Sequence, residues 1–162
     1  MLPNYFKPKK EYDLIRLGQK YDGGYLVEKQ SILNSNTLIT LGLGYDWSFE
    51  KDYYKIKQKK IFCYDHTINY SGIKKLCRKL LSSYFFRAFK PKYFSEKDFF
   101  PNLIKGIFLY KDYKKFFSNN ATHIEKRVGS GQGGITLKEI IKDKKDMSPI
   151  FLKVDIEGSE YR

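Results

Sequence analysis

The sequence is poor in the residues that build metal centres and disulfide frameworks. Its two cysteines, Cys63 and Cys77, lie in apolar surroundings, show no CxxC spacing and have no matching histidine pair. Neither a disulfide-stapled fold nor a zinc site is suggested, and a reducing compartment fits best. No uncharged run approaches the roughly 20 residues that span a bilayer. The start, MLPNYFKPKKEYD, lacks the apolar core of a signal peptide. A cytoplasmic protein without a transmembrane segment is expected.

Acidic residues are outnumbered: 31 Lys and Arg against 18 Asp and Glu give a formal charge of +13. A charge of that size suits a nucleic-acid or membrane-surface binder. The lysines, however, are scattered through every segment (KPKK, KIKQKK, IKKLCRK, YKDYKKFF, KDKKD) rather than gathered on one element. They read as solvated faces, so a nucleic-acid partner is not expected, and a non-catalytic basic module that binds RNA or an anionic surface stands as the alternative reading. Apolar residues are plentiful, 41% hydrophobic with 17% aromatic, well above what a disordered segment carries. At 162 residues the chain is long enough for one domain with a real core and too short for two of ordinary size.

Along the chain, apolar alternation on both sides of Asp22-Gly23-Gly24 predicts a hairpin or tight turn. LITLGLG, a short apolar run bounded by glycine, predicts a strand buried on both faces of a parallel sheet. DWSFEKDYYKIKQ follows with Phe49, Tyr53 and Ile56 at i, i+4 and i+7, a helix with Asp46 or Ser48 as its N-cap. KKIFCYDH reads as a second strand ending at Asp65, so residues 38 to 65 are βαβ in outline. A second helix places Ile73, Leu76, Cys77, Leu80, Leu81 and Phe85 on one side and Lys74, Lys75, Arg78 and Lys79 opposite. The aromatic and Lys-rich stretch at about 84–117, marked by Pro91 and Pro101, reads as an insertion of one or two helices. THIEKRVG is a third strand, Thr136 and Glu139 form a capping box for a helix starting near Leu137, and SPIFLKVDI is a fourth strand. Such alternation predicts an α/β, doubly wound, mostly parallel sheet, whose ligands sit beyond the carboxyl ends of the strands.

The residues at those ends form the candidate site: Gly42, Gly44, Asp46, Asp65, Gly129 and Asp155. A dinucleotide-binding turn has three glycines in G-x-G-x-x-G; GLGYDW keeps two and has Trp47 in the third place. The spacing favours a nucleoside ligand without a pyrophosphate, such as S-adenosylmethionine, over NAD. Asp65 lies 21 residues after Gly44, at the end of the next strand, where a carboxylate can accept both ribose hydroxyls. GSGQGG at 129–134 has no P-loop lysine and reads as a flexible ligand-side loop. His66 and His123 are candidate general bases, and a structural role is the commoner one for a lone histidine.

Four segments, IRLGQKYDGGYLV, LGLGYDWSFE, IFCYDHT and FLKVDIEGSEYR, taken in this order, resemble the FkbM-type family of S-adenosylmethionine-dependent methyltransferases. K-x-D-x-E-G-x-E is the most specific of these matches. The resemblance implies a Rossmann-like methyltransferase sheet, with Gly42 and Gly44 in the cofactor loop, Asp65 at the ribose, and Asp155 with Glu157 at the active-site edge. It also implies O-methylation of a hydroxyl on a sugar or other small molecule, with Asp155, Glu157 or His66 as the base. Asp155 and Glu157 permit a divalent metal in place of the base, but no third ligand is identifiable, so no metal is assigned. A methyltransferase sheet of this kind runs 3-2-1-4-5-7-6, so the chain is expected to hold strands 3, 2, 1 and 4 and to be a fragment lacking strands 5 to 7. That fragment is expected to keep most of the cofactor half-site, to show negligible methyl transfer and to self-associate through its last strand.

Overall fold

The computed structural model describes residues 3, 10–20, 23–88, 96–131 and 133–156, excluding the side chains of 80, 81, 83–88 and 96–106. Strands β1 (Leu14–Leu17) and β2 (Tyr25–Glu28) pair antiparallel in register Leu17↔Tyr25, the predicted hairpin. Gly23 takes φ +79° at its turn, a conformation that costs glycine little. A short helix, α1 (Lys29–Asn34), follows directly and buries Ile32.

Four parallel strands make the main sheet: β3 (Thr37–Leu41), β4 (Lys60–Tyr64), β5 (Thr122–Ile124) and β6 (Ile150–Val154). Their order is β5-β4-β3-β6, so counted along the chain within this sheet the strands lie 3-2-1-4. β3 is central and every one of its residues is buried, which is why LITL shows a continuous apolar run rather than an alternation. Alternate residues serve the two faces. Leu38, Ile61 and Cys63 join Phe49, Tyr53, Ile73 and Tyr113 on one face, whereas Ile39, Leu41 and Tyr64 join Ile140 on the other.

The first face is covered by α2 (Ser48–Lys57), α3 (Tyr70–Ala88) and α4 (Glu96–Asn119), and the second by α5 (Leu137–Asp143). Each fully buried large side chain contributes about 1.5–3 kcal/mol. α2 differs from its predicted stripe. Phe49 and Tyr53 are buried, but Ile56 is 43% exposed and Glu50 takes the inward place. The N-cap of α2 is Trp47, neither of the two expected residues: Ser48 is the first helical residue, and Asp46, one position before the cap, accepts the Ser48 N–H through Oδ1 at 2.9 Å. In α3, Ile73 and Cys77 face inward while Lys74, Lys75, Arg78 and Lys79 are exposed. α4 fills most of the expected insertion and runs through Pro101, whereas Pro91 lies outside the described residues.

The predicted capping box is present at α5: the Thr136 side chain accepts the Glu139 N–H, and the Glu139 carboxylate accepts the Thr136 N–H. Hydrogen bonds from the Thr136 backbone, then from its side chain, hold the Glu139 carboxyl below its ordinary range. Cys63 and Cys77 are buried, and neither is in a disulfide. No described helix is long and apolar enough to cross a membrane.

Candidate functional site

Where β3, β4 and β6 end, their following residues converge. Gly42 donates its N–H to the Tyr64 carbonyl at 2.9 Å, and Asp155 donates its own to the Leu41 carbonyl at 2.8 Å, so both neighbours of β3 are stitched to its end. Gly42 has φ +80°, and a Cβ there would collide with the Asp155 carbonyl oxygen. Its lack of a side chain is what lets β6 close on the turn. Gly44 differs: its φ is +59°, but a Cβ would meet nothing within 4 Å, and it lines the open side of the turn.

Asp65 governs this turn. Its Oδ2 accepts from Leu43 N at 2.8 Å and Gly44 N at 3.0 Å, and its Oδ1 accepts from Thr67 N and Thr67 Oγ1, both at 2.6 Å. A carboxylate offers about four acceptor sites, and four donors occupy them. Burial by itself would raise this carboxyl, but hydrogen bonds from the Thr67 side chain and from the Gly44, Leu43 and Thr67 amides outweigh it and hold it below its ordinary value. Asp65 thus reaches the expected place, yet its oxygens clamp the glycine turn instead of standing free for a ribose. His123 supports the same corner: its Nε2 lies 3.0 Å from the Asp65 carbonyl and its Nδ1 bonds the Tyr113 hydroxyl. Both ring nitrogens are engaged, which is the structural role. Burial, with Glu125 next, pushes the Tyr113 hydroxyl up to about 12.

A cavity of about 220 Å³ opens at this point. Gly42, Gly44, Asp65, His66, Lys126 and Asp155 are among its walls. A second, of about 290 Å³, lies on the hairpin side of the turn and includes Gln19, Gly23, Tyr45, Asp46, Lys153 and Asp155. Leu43, Gly44 and Asp155 border both. Of the sequence-predicted residues, Gly42, Gly44, Asp65, His66 and Asp155 therefore meet at the first cavity. Asp46 belongs to the second. Gly129 lines neither; it closes the base of its loop by donating to the Ile135 carbonyl at 3.0 Å, next to cavity-lining Val128. Glu157 lies outside the described residues.

Three residues at the site, Lys153, Glu50 and Tyr25, fall inside the segments of the resemblance but have no role assigned from sequence, although Lys153 opens K-x-D-x-E-G-x-E. Lys153, the one basic residue inside IFLKVDI, is 7% exposed and donates to Glu50 Oε1 at 3.2 Å, which also accepts from Thr40 Oγ1 at 2.8 Å. Tyr25 donates its hydroxyl to Asp155 Oδ2 at 2.7 Å, tying the hairpin to the end of β6. A charge in the middle of an apolar strand was the available signal for Lys153, but Glu50 and Tyr25 carry none. Trp47, in the third-glycine position, is a core residue: it is 2% exposed and its Nε1 donates to Asp112 Oδ2 at 2.8 Å, anchoring α4. Among the described residues, no group of three His, Cys, Asp or Glu can hold a metal ion.

No protein-family model, no curated protein and no solved structure matches this chain.

Proposed function

We propose that the chain is an S-adenosylmethionine-dependent methyltransferase acting on a hydroxyl of a sugar or another small molecule. The observation that carries this reading is the cavity where the Gly42-Leu43-Gly44 turn, Asp65 and Asp155 come together beyond the carboxyl ends of adjacent parallel strands. That is where open α/β sheets bind ligands. The four sequence segments resembling FkbM-type methyltransferases supply the chemistry, and three of them fall at this cavity.

The cradle suits a nucleoside at one point and resists it at another. Gly44 presents backbone to open space, which allows close approach of a ligand. Asp65, with its acceptor sites filled by the turn, acts by holding Gly44 in place, and His66 and Thr67 stand beside it on the cavity wall. S-adenosylmethionine, when bound, supplies an electrophilic methyl group on a sulfonium. The protein's own part is to hold an acceptor hydroxyl in line and to take its proton. Asp155 is the carboxylate bordering both cavities, and Tyr25 fixes its orientation through Oδ2. It is the residue we assign as base, with His66 the other titratable group of this cavity that can serve.

Calorimetry with S-adenosylmethionine and S-adenosylhomocysteine, run beside a salt-titrated RNA-binding assay, tests the reading. Binding of both nucleosides is expected. Absence of nucleoside binding, together with RNA affinity that falls steeply with salt, would overturn it in favour of a basic binding module.

A further inference from the structure

Although spread along the sequence, the basic residues are not spread evenly in space. α3 and α4 pack on each other, joined where the Tyr70 and Tyr110 hydroxyls bond and their ring centroids lie 5.3 Å apart. Ile73 and Cys77 of the first helix, with Tyr113 and Phe116 of the second, are buried against the sheet. The far sides of both helices are exposed, and they carry six cations: Lys74, Lys75 and Arg78 on α3, and Lys111, Lys114 and Lys115 on α4. These share one outer surface.

Acidic residues do not offset them. α3 contains no Asp or Glu. Among the described side chains of α4 the acid is Asp112, and its carboxylate is turned toward α2, where it accepts from Trp47 Nε1 and Lys51. The rest of the surface is not built this way: on α5 the exposed Lys138 and Lys142 stand beside Glu139 and Asp143.

Phe108 completes the face. It is 66% exposed, more than any other large apolar residue described, and it shares a stripe with Lys111 and Lys115 at i, i+3 and i+7. A ring set among cations suits the boundary between lipid headgroups and acyl chains. Five of the six cations are Lys, whose compact ammonium answers a diffuse negative field without directed pairing, whereas the Arg fork that suits nucleic-acid phosphates occurs once. We propose that the outer face of α3 and α4 docks on a bilayer carrying acidic phospholipid, the cations against its headgroups and Phe108 entering the boundary. None of these residues lines either cavity at the strand ends, so this docking stands apart from the methyltransferase reading.

The test is flotation of the full chain with vesicles, which separates lipid-bound from self-associated protein, on phosphatidylcholine alone and on an equimolar mixture with phosphatidylserine. Binding is expected on the second only, falling as salt rises, because exposed charges are screened. Each Lys or Arg near such a surface raises partitioning about fivefold, the equivalent of about 1 kcal/mol, so Lys75→Gln with Arg78→Gln is expected to bind about 25-fold more weakly. Lys138→Gln with Lys142→Gln, which removes the same charge from α5, is expected to bind as the wild type does, and Phe108→Ser severalfold more weakly with the same salt dependence. No binding to either vesicle would overturn the proposal, as would equal binding to both, an equal loss in the two paired variants, or wild-type binding by Phe108→Ser. Tighter binding to single-stranded RNA than to the acidic vesicles, lost in the paired α3 variant, would overturn it in favour of a nucleic-acid face.

Discussion

Asp65 Oδ2 accepts the backbone N–H groups of both Leu43 and Gly44, so the end of β4 holds the turn at the end of β3 through a single carboxylate oxygen. A residue read from spacing as a ligand contact is therefore also a structural clamp. Asp65→Ala is expected to unseat Gly44 from the cavity wall, weakening S-adenosylhomocysteine binding and costing stability together. Two amides and the Thr67 donors lose their acceptor, at about 1.5–3 kcal/mol for a hydrogen bond to a charged group. Asp65→Asn should be milder, since one amide oxygen still accepts. Calorimetry and urea melts on both variants check this, and unchanged values in either measurement for Asp65→Ala would contradict it.

The same clamp sets a pH dependence. The folded Asp65 carboxyl lies below its ordinary value of 3.8, so its contribution is fully present above that value and is lost as pH falls through the lower folded one. The stability gap between wild type and Asp65→Ala should be largest near neutrality and should shrink below about pH 3.9, the unfolded carboxylate pKa. Urea midpoints measured at neutral and acid pH would reveal it; a gap that stays constant would show that Asp65 is not held by these bonds.

The two glycines should separate. Gly42→Ala places a Cβ against the Asp155 carbonyl and is expected to push β6 away from β3, a loss of stability of the overpacking kind, about 1–3 kcal/mol. Gly44→Ala meets no neighbour and should cost only the left-handed backbone penalty of about 1–2 kcal/mol. Gly44→Val adds bulk on the ligand side and should lose binding out of proportion to stability. Wild-type affinity in Gly44→Val would return that glycine to a purely conformational role.

The parts of the fold that depend on neighbours in sequence were legible from sequence alone. LITL and KIFCY show the runs of strands buried on both faces, and Thr136 with Glu139 writes its own cap. The parts that depend on distant partners were not. Glu50 turns inward because Lys153 meets it from a strand 103 residues away, and this displaces Ile56 from the expected stripe. Spacing placed Asp65 at the site but is silent on whether its lone pairs are already taken by amides. Trp47 could be read as a missing glycine, yet its partner Asp112 sits in a helix that no local pattern brings to it.

β6 is hydrogen-bonded to β3 and forms an edge of the sheet among the described residues, with Val154 41% exposed. Unpaired strand edges template association, so the 162-residue chain is expected to self-associate with rising concentration, and Val154→Lys to reduce that. Light scattering across a dilution series checks it. A monodisperse wild-type monomer would show that this edge is protected.

Lys153 and Glu50 form a nearly water-free ion pair, 7% and 0% exposed, in which Glu50 Oε2 has no hydrogen-bond partner. Removing one member leaves the other charge buried and unpaired. Lys153→Met alone should therefore destabilise by about 3–5 kcal/mol, whereas replacing both, Lys153→Met with Glu50→Met, should recover most of that loss, because an apolar pair of similar volume carries no desolvation penalty. Thr40 limits the recovery: its hydroxyl donates to Glu50 Oε1 at 2.8 Å and would be left buried without that acceptor, at about 1–3 kcal/mol. Adding Thr40→Val should remove the remainder. Urea denaturation of the single, double and triple variants measures these steps. A double variant as unstable as the single one, with no gain from Thr40→Val, would show that the pair's cost lies in packing around Phe49 and Tyr25 and not in stranded charge.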